Sequence, residues 1–392
     1  MSTGTTAGLL EDSDSHAQSV FKHEILRQYM SPFIAMAGST ATSNRLTVLD
    51  GFAGRGRYPG GEPGSAEHIL QAVQRLQDSR KVSAYFVEKS RKDFEILASV
   101  VEEYASSGMQ AHALYGSLED HLETVIASAT GVPLLLFLDP CGAGLPFQRL
   151  AEIVNGSRRG KKPPTEILLN FNSDLSRRAT GSLRKGLLQD PIIRHMDLTC
   201  GGEWWRETAL TALSTSATGN FEPVAHAVAD EYTRRLADAG GMLSVNVPVR
   251  RRLSRQPIYH LAFFTHSSHG LWMFANAIGK ARQKWLQHWG KLEAGDTPEE
   301  TLFGPPQNMD WLIDEEAEKA RERVRQNLLR LVRSGTIFKL VTRAREVYGD
   351  VYGVAIESTV TKAVRALEAS GELVVRERSK KVRDCVVGPP KT

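Results

Sequence analysis

The chain has 392 residues, of which 41% are hydrophobic and 24% charged, enough apolar material for a core and for two domains. Its formal net charge of +4 is too mild to establish a nucleic-acid partner by bulk electrostatics, and no apolar run reaches the length of a bilayer span. Cys141, Cys200 and Cys385 lie far apart without a C-x-x-C pair, which argues against a zinc site or a disulfide framework, and no metal is expected.

Residues 1–19 read as a flexible polar lead without the basic-then-apolar order of a signal peptide, so a cytoplasmic location is expected. Residues Val20 to Phe33 then read as an amphipathic helix, with Phe21, Ile25, Leu26, Tyr29 and Met30 at helical spacing and Pro32 near its end. Lys22 and His23 lie on it. They are candidates for binding phosphate or, for His23, for acting as a base; a surface lysine and a partly buried histidine are the plainer alternative.

Strand and helix patterns alternate from there. Strands are predicted at Leu46–Asp50, Ser83–Glu88, Gln110–Tyr115, Pro133–Asp139 and Glu166–Phe171, with helices at Ser65–Asp78, Ser90–Ser106, Leu118–Ser128 and Pro146–Asn155. That rhythm implies a doubly wound parallel sheet with right-handed crossovers. A helical insertion spans about 176–240. Met242–Val249 and Pro257–His266 follow, joined by the short R-R-R-L-S-R-Q-P, which permits only an antiparallel pair.

A long helix at His269–Glu293 leads to a linker at 295–312, placing the larger domain at 20–294. Residues 313–392 give helices at Glu315–Ser334, Thr342–Tyr348 and Ile356–Gly371, then two strands around a basic turn. Three helices and a two-stranded wing spell a winged helix, a fold used for reading DNA or for docking proteins. It also offers a surface for homodimerisation.

The chemistry-bearing residues sit where strands end. L-T-V-L-D-G-F-A-G-R-G delivers Asp50 to the carboxyl edge of the first strand, followed by a small-residue turn carrying Phe52, Gly54 and Gly56 that lets backbone approach a nucleotide-like ligand. The following Y-P-G-G-E-P-G-S is an insert, expected as a loop over the site. Glu88, closing Y-F-V-E, is placed to accept hydrogen bonds from ribose hydroxyls; a helix-start acid is the alternative. Ser117 and Leu118, after the third strand, are candidates for contacting an adenine edge, with an ordinary cap at Ser117 the equal alternative.

Asp139 and Pro140 close the fourth strand in L-F-L-D-P-C-G. A carboxylate and a carbonyl there can hold an amine with its lone pair toward a donor methyl, and an in-line displacement is catalysed mostly by such positioning. No G-x-S-x-G and no Walker A lysine point to a nucleophilic serine or to phosphate hydrolysis. Basic clusters at Arg158, Arg159, Lys161 and Lys162, at Arg177, Arg178, Arg184 and Lys185, at Arg250, Arg251, Arg252 and Arg255, and in the tail suggest a phosphate-meeting surface, or merely solvated loops.

K-H-E-I-L-R-Q-Y, L-D-G-F-A-G-R-G-R-Y with G-E-P-G-S, F-V-E, F-L-D-P-C-G and E-I-L-L-N-F together resemble the three-Cys-motif partner protein (TcmP) family, over roughly Val20 to Trp285. The block is more distantly similar to RlmJ-type ribosomal RNA adenine-N6 methyltransferases. The resemblance implies a Rossmann-like class I methyltransferase sheet, mostly parallel with an antiparallel last strand, and S-adenosylmethionine as cofactor. It carries Asp50, Gly54 and Gly56 to the methionine-side loop, Glu88 to the ribose and Asp139 to amine orientation. It also implies a cysteine-motif partner protein.

One departure stands out. Amino-group methyltransferases usually follow Asp-Pro with a second proline and a stacking aromatic, where this chain has Cys141 and Gly142, a form closer to tRNA guanine-N2 methyltransferases. The expected function is methylation of a base nitrogen of nucleic acid, RNA before DNA. The alternatives are a non-catalytic partner that keeps the fold for binding and a small-nucleoside methyltransferase.

Overall fold

The structure, a computed structural model, describes residues 13–39, 41, 44–140, 142, 144–160, 163–216, 220–250, 253, 255–295 and 309–390, with backbone alone at 13–19 and 291–295. Cys141, Lys161, Lys162, Arg251, Arg252 and most of the expected linker lie outside the described residues. The chain divides into two compact units, one holding Met30–His266, the other His16–Tyr29 together with Ser267–Thr392. This differs from a boundary after residue 294. The apolar face of the long helix, including Trp272, Phe274, Ile278 and Trp285, is buried, and that helix belongs with the C-terminal residues.

The first unit is a seven-stranded sheet with helices in its crossovers. In chain order it comprises β1 (Arg45–Asp50), α2 (Ser65–Gln74), β2 (Lys81–Glu88), α3 (Arg91–Ala105), β3 (Gln110–Tyr115), α4 (Leu118–Ser128), β4 (Leu134–Leu138), α5 (Phe147–Asn155) and β5 (Thr165–Asn172). Four helices of the insertion follow, α6 (Ser173–Arg184), α7 (Pro191–Cys200), α8 (Trp204–Ser214) and α9 (Glu222–Gly240), then β6 (Leu243–Val249) and β7 (Tyr259–Thr265). They are preceded by α1 (Ser13–Ser39), which continues through Pro32 rather than ending near it. A proline removes one backbone donor from a helix, so the Gln28 carbonyl loses its usual N–H partner there.

The strand order is β3-β2-β1-β4-β5-β7-β6. The first five strands pair in parallel, and β7 runs antiparallel to both β5 and β6. The sheet reverses direction of growth between β1 and β4, so the crevice for a ligand opens at the carboxyl ends of those strands. Side chains alternate between faces. Leu136, Leu138, Ile167, Leu169, Phe171 and Phe264 enter one core with α4 to α9, while Leu135, Phe137, Leu168 and Phe263 are buried on the other face. Burial on both sides is why these strands read as continuous apolar runs.

The second unit contains α10 (Ser268–Gly295), α11 (Asp310–Arg333), β8 (Phe338–Lys339), α12 (Ala344–Tyr348), α13 (Glu357–Ala369), β9 (Val374–Glu377) and β10 (Val386–Gly388). Its sheet has order β8-β10-β9 and is antiparallel, one strand more than the sequence pattern suggests. β8 has two residues, too few to display an alternating pattern. Trp272 and Tyr348 meet edge to face at 5.1 Å, and the Tyr352 hydroxyl donates to the Leu271 carbonyl at 2.6 Å. The α1 portion of this unit packs in the same way, Phe21 against Trp285 and Tyr29 against Phe274.

Candidate active site

The loop after β1 is fixed to the strands on either side of it. The Gly51 N–H donates to the Phe137 carbonyl at 2.9 Å and the Ala53 N–H to the Val87 carbonyl at 2.9 Å. Gly54 follows at φ +60°, and a Cβ there would meet nothing within 4 Å. The open side of that residue is where a ligand can come close to backbone, in a conformation other residues avoid. Gly64 shows the opposite constraint, since its Cβ would lie 2.8 Å from the Gly56 carbonyl oxygen.

The insert between them is ordered. Arg57 bridges Pro63, the Tyr58 N–H donates to the Glu62 carbonyl, and Gly64 N–H to Gly56 carbonyl at 2.7 Å. Arg55 forks onto Asp93, and Arg57 onto Glu67, whose other neighbours include the Tyr104 hydroxyl. Both arginines of the loop are thus spent on α2 and α3, holding the turn in shape.

Three carboxylates gather at this edge. Asp50 is fully buried; its Oδ1 accepts from the Phe52 N–H at 3.1 Å and its Oδ2 from the Ser65 hydroxyl at 2.6 Å. Burial above all, aided by the charges of Asp139 and Glu88, pushes its carboxyl up to about 7. Glu88 Oε2 accepts from the Gly54 N–H at 3.0 Å and its Oε1 from the Ser90 N–H at 2.6 Å. It therefore ties the glycine turn to the start of α3, the alternative expected of it. A carboxylate has about four acceptor positions, so about two remain for hydroxyls.

Asp139 is half-buried, with Pro140 buried behind it. The Asn170 side-chain amide donates to Asp139 Oδ1 at 2.5 Å, from the neighbouring end of β5. That bond fixes which way the amide points, because the reverse orientation would set oxygen against oxygen. Asn170 Oδ1 is then a buried acceptor with no partner among the described residues, a state that costs about 1–3 kcal/mol unless a donor arrives. Tyr259 is buried on β7, and burial with the added charge of Asp139 pushes its phenol well up, so it stays protonated.

Other expected site residues resolve differently. The Ser117 hydroxyl and N–H both donate to Asp120 Oδ2, and the Asp120 N–H returns to Ser117 Oγ, a complete capping box for α4. Leu118 is core, and Phe52 is half-buried against the same core. Lys22 and His23 are half-buried on the part of α1 that belongs to the second unit.

The nucleic-acid candidates need one correction. Arg158 is buried at 4% exposure, donating to Thr165 Oγ1 and to the carbonyls of Ala129 and Val132, each at 2.9 Å. It cannot meet phosphate, because its donors close the turns before β4 and β5. Arg158→Ala is expected to cost about 2–4 kcal/mol in urea unfolding by orphaning those carbonyls, with nucleic-acid affinity unmoved; lost affinity at full stability would restore the surface role. Arg159 is exposed, whereas Arg250 pairs with Glu222 and donates to the Arg255 carbonyl.

Ser65, Asn170 and Tyr259 escaped the sequence reading. Asn170 was the most legible, since it stands one residue beyond the register pair Leu138–Leu169 and so beside Asp139. A second polar chain runs nearby through Ser173, His260, His226 and Glu222, with contacts of 2.6, 2.8 and 3.3 Å. The ionised Glu222 can only accept, so each hydrogen bond points from Ser173 toward it. Burial, with the charges of His226, Arg250 and Arg177, holds His260 well below 6.5, hence neutral.

Among the described residues no group of three or more His, Cys, Asp or Glu could hold a metal ion, and no helix is long and apolar enough to cross a membrane. Cys200 and Cys385 are buried free thiols. No protein-family model matches the chain, and no curated protein does. Solved structures to which it is similar include cofactor-bound Rv0187 from MTB, at 11% identity and TM-score 0.30 over 60% of this chain and 78% of that one. Two others are TYW2 of M. jannaschii in complex with AdoMet, at 8% and 0.26 over 60% and 73%, and precorrin-6y C5,15-methyltransferase from Geobacter metallireducens, at 11% and 0.25 over 60% and 86%.

Proposed function

We propose that the chain is an S-adenosylmethionine-dependent methyltransferase acting on a base nitrogen of nucleic acid, RNA in preference to DNA. The carrying observation is the pair Asp139 and Asn170, two acceptors side by side at the strand ends, with Asn170 Oδ1 buried and without a donor among the described residues. Such a pair suits an amino group, which brings two N–H donors, and leaves the nitrogen lone pair for attack. The cofactor fits the rest of the edge. Gly54 leaves room for close approach, Glu88 keeps acceptor positions for two hydroxyls, and the three carboxylates favour a cation.

Bound there, the cofactor supplies an electrophilic methyl on a sulfonium. Asp139 would hold the amine and accept its proton as the nitrogen turns cationic, Asn170 would set its orientation, and Asp50 braces the loop from below. The strand order with an antiparallel β7 supports a class I methyltransferase sheet. Helices α11, α12 and α13 with the β8-β10-β9 sheet support a winged helix as the nucleic-acid-holding module. Calorimetry with S-adenosylmethionine on wild type and Asp50→Ala tests the cofactor. Radiolabelled transfer to total RNA and total DNA tests the reaction. A wild type that fails to bind the cofactor would sink both.

A further inference from the structure

The basic tail separates into two kinds of residue. Its arginines are consumed inside the second unit, Arg376 on the Pro389 carbonyl at 2.7 Å, Arg378 on Glu368 at 2.6 Å and Arg383 on Glu357 at 3.1 Å. Its lysines are not. Lys380 and Lys381 are exposed in the segment between β9 and β10, and together with the exposed Lys280 of α10 they line a cleft of about 310 Å³.

None of these three lysines has an acidic partner among the described residues. The acid in the cleft, Glu357, has its carboxylate held by both oxygens on Arg383 and its N–H on Asn276. Its charge is already answered, which leaves the cleft cationic, with Asn276 and Ser358 completing a polar wall.

We infer that this cleft seats phosphate groups of a polynucleotide backbone. Ammonium groups are point charges with rotatable donors, suited to phosphates arriving from several directions, whereas base edges are read by fixed forks. The forks here are occupied, so binding at the cleft is independent of sequence. Exposed lysines on two separate elements suit a chain laid across an open cleft better than one small anion, which needs enclosure. The inference rests on the nucleic-acid reading above and names the surface that serves it.

The test measures fluorescence anisotropy of a labelled single-stranded RNA 20-mer of mixed sequence with the full chain across a salt series. The triple variant Lys280→Gln, Lys380→Gln, Lys381→Gln is expected to bind at least about tenfold more weakly at low salt, with a log–log salt slope shallower by about 2. Lys92→Gln, an exposed lysine of α3, should leave both unchanged. Unchanged affinity and slope in the triple variant would overturn the assignment, as would a wild type that binds no RNA. Inorganic phosphate competing as well as RNA at equal phosphate would also overturn it, giving the cleft to a small anion.

Calorimetry with S-adenosylmethionine on the triple variant keeps the two readings apart. RNA binding lost with cofactor binding intact supports the cleft whether or not transfer is detected. Transfer by wild type with RNA binding unaltered in the triple variant refutes the cleft and spares the methyltransferase.

Discussion

Asp50→Asn is expected to stabilise the cofactor-free protein at pH 8 by about 2–4 kcal/mol while weakening S-adenosylmethionine binding about tenfold or more. The carboxyl is fully buried and titrates near 7, against 3.8 in an unfolded chain. Between those values the folded state keeps a proton that the unfolded state has released. Stability therefore falls as pH rises from about 4 to 7 and stays low above it. Raising the carboxyl from 3.8 to about 7 corresponds to about 4 kcal/mol at most.

An asparagine removes the charge yet keeps the contacts, its oxygen accepting from the Phe52 N–H and its amide donating to Ser65 Oγ. Urea unfolding of both proteins across pH 5 to 8 isolates the effect, and a variant no more stable than wild type at pH 8 would refute it. His260 acts with the opposite slope in both proteins, costing stability as pH falls below 6.5, so it cancels in the comparison. A cationic cofactor should in turn draw the proton off Asp50. Calorimetry near pH 7 in buffers of different ionisation enthalpy is expected to show proton release on binding in wild type and none in Asp50→Asn.

Asp139→Asn is expected to lower kcat for methyl transfer by about 10²–10³ while the cofactor Kd stays within about threefold. The substitution turns one acceptor toward a donor, so an incoming amine meets an N–H where it needs an oxygen, and Asn170 loses the partner that fixes its amide. Asn170→Leu should cost less, about tenfold, and the double variant should fall well short of the sum, since the two residues orient one group. Single-turnover rates beside calorimetric affinities decide it. A cofactor affinity that collapses with the rate would move Asp139 from the reaction to the cofactor.

What the sequence displayed was whatever a short local pattern can encode. Alternating strands and helices, the antiparallel closing pair and the strand-end acids Asp50, Glu88 and Asp139 were all readable, because burial on two faces forces apolar runs and each of these acids stands at the end of one. Partners supplied from far along the chain were not. Nothing near Asp139 announces Asn170, 31 residues on, and nothing near Asp50 announces that Ser65 will close over it. Charge misled for the same reason. Arg158 sits in a run of basic residues that looks solvated, yet its fork is the bracket between two turns. β8 and the continuation of α1 through Pro32 fail differently, being respectively too short and too unusual to leave a periodic trace.

The composition of the second unit has a consequence for how the protein is made. Phe21, Ile25, Leu26 and Tyr29 leave the ribosome before residues 30–266, but the core that buries them is built from residues after 266, which follow that whole domain. During most of synthesis that stripe of the first helix has nowhere to go, and the sheet of residues 30–266 can form before it does. The nascent chain therefore carries an exposed apolar segment ahead of that domain for the length of its synthesis. Burial of that segment therefore waits for α10 to emerge, and depends on whatever shields it until then.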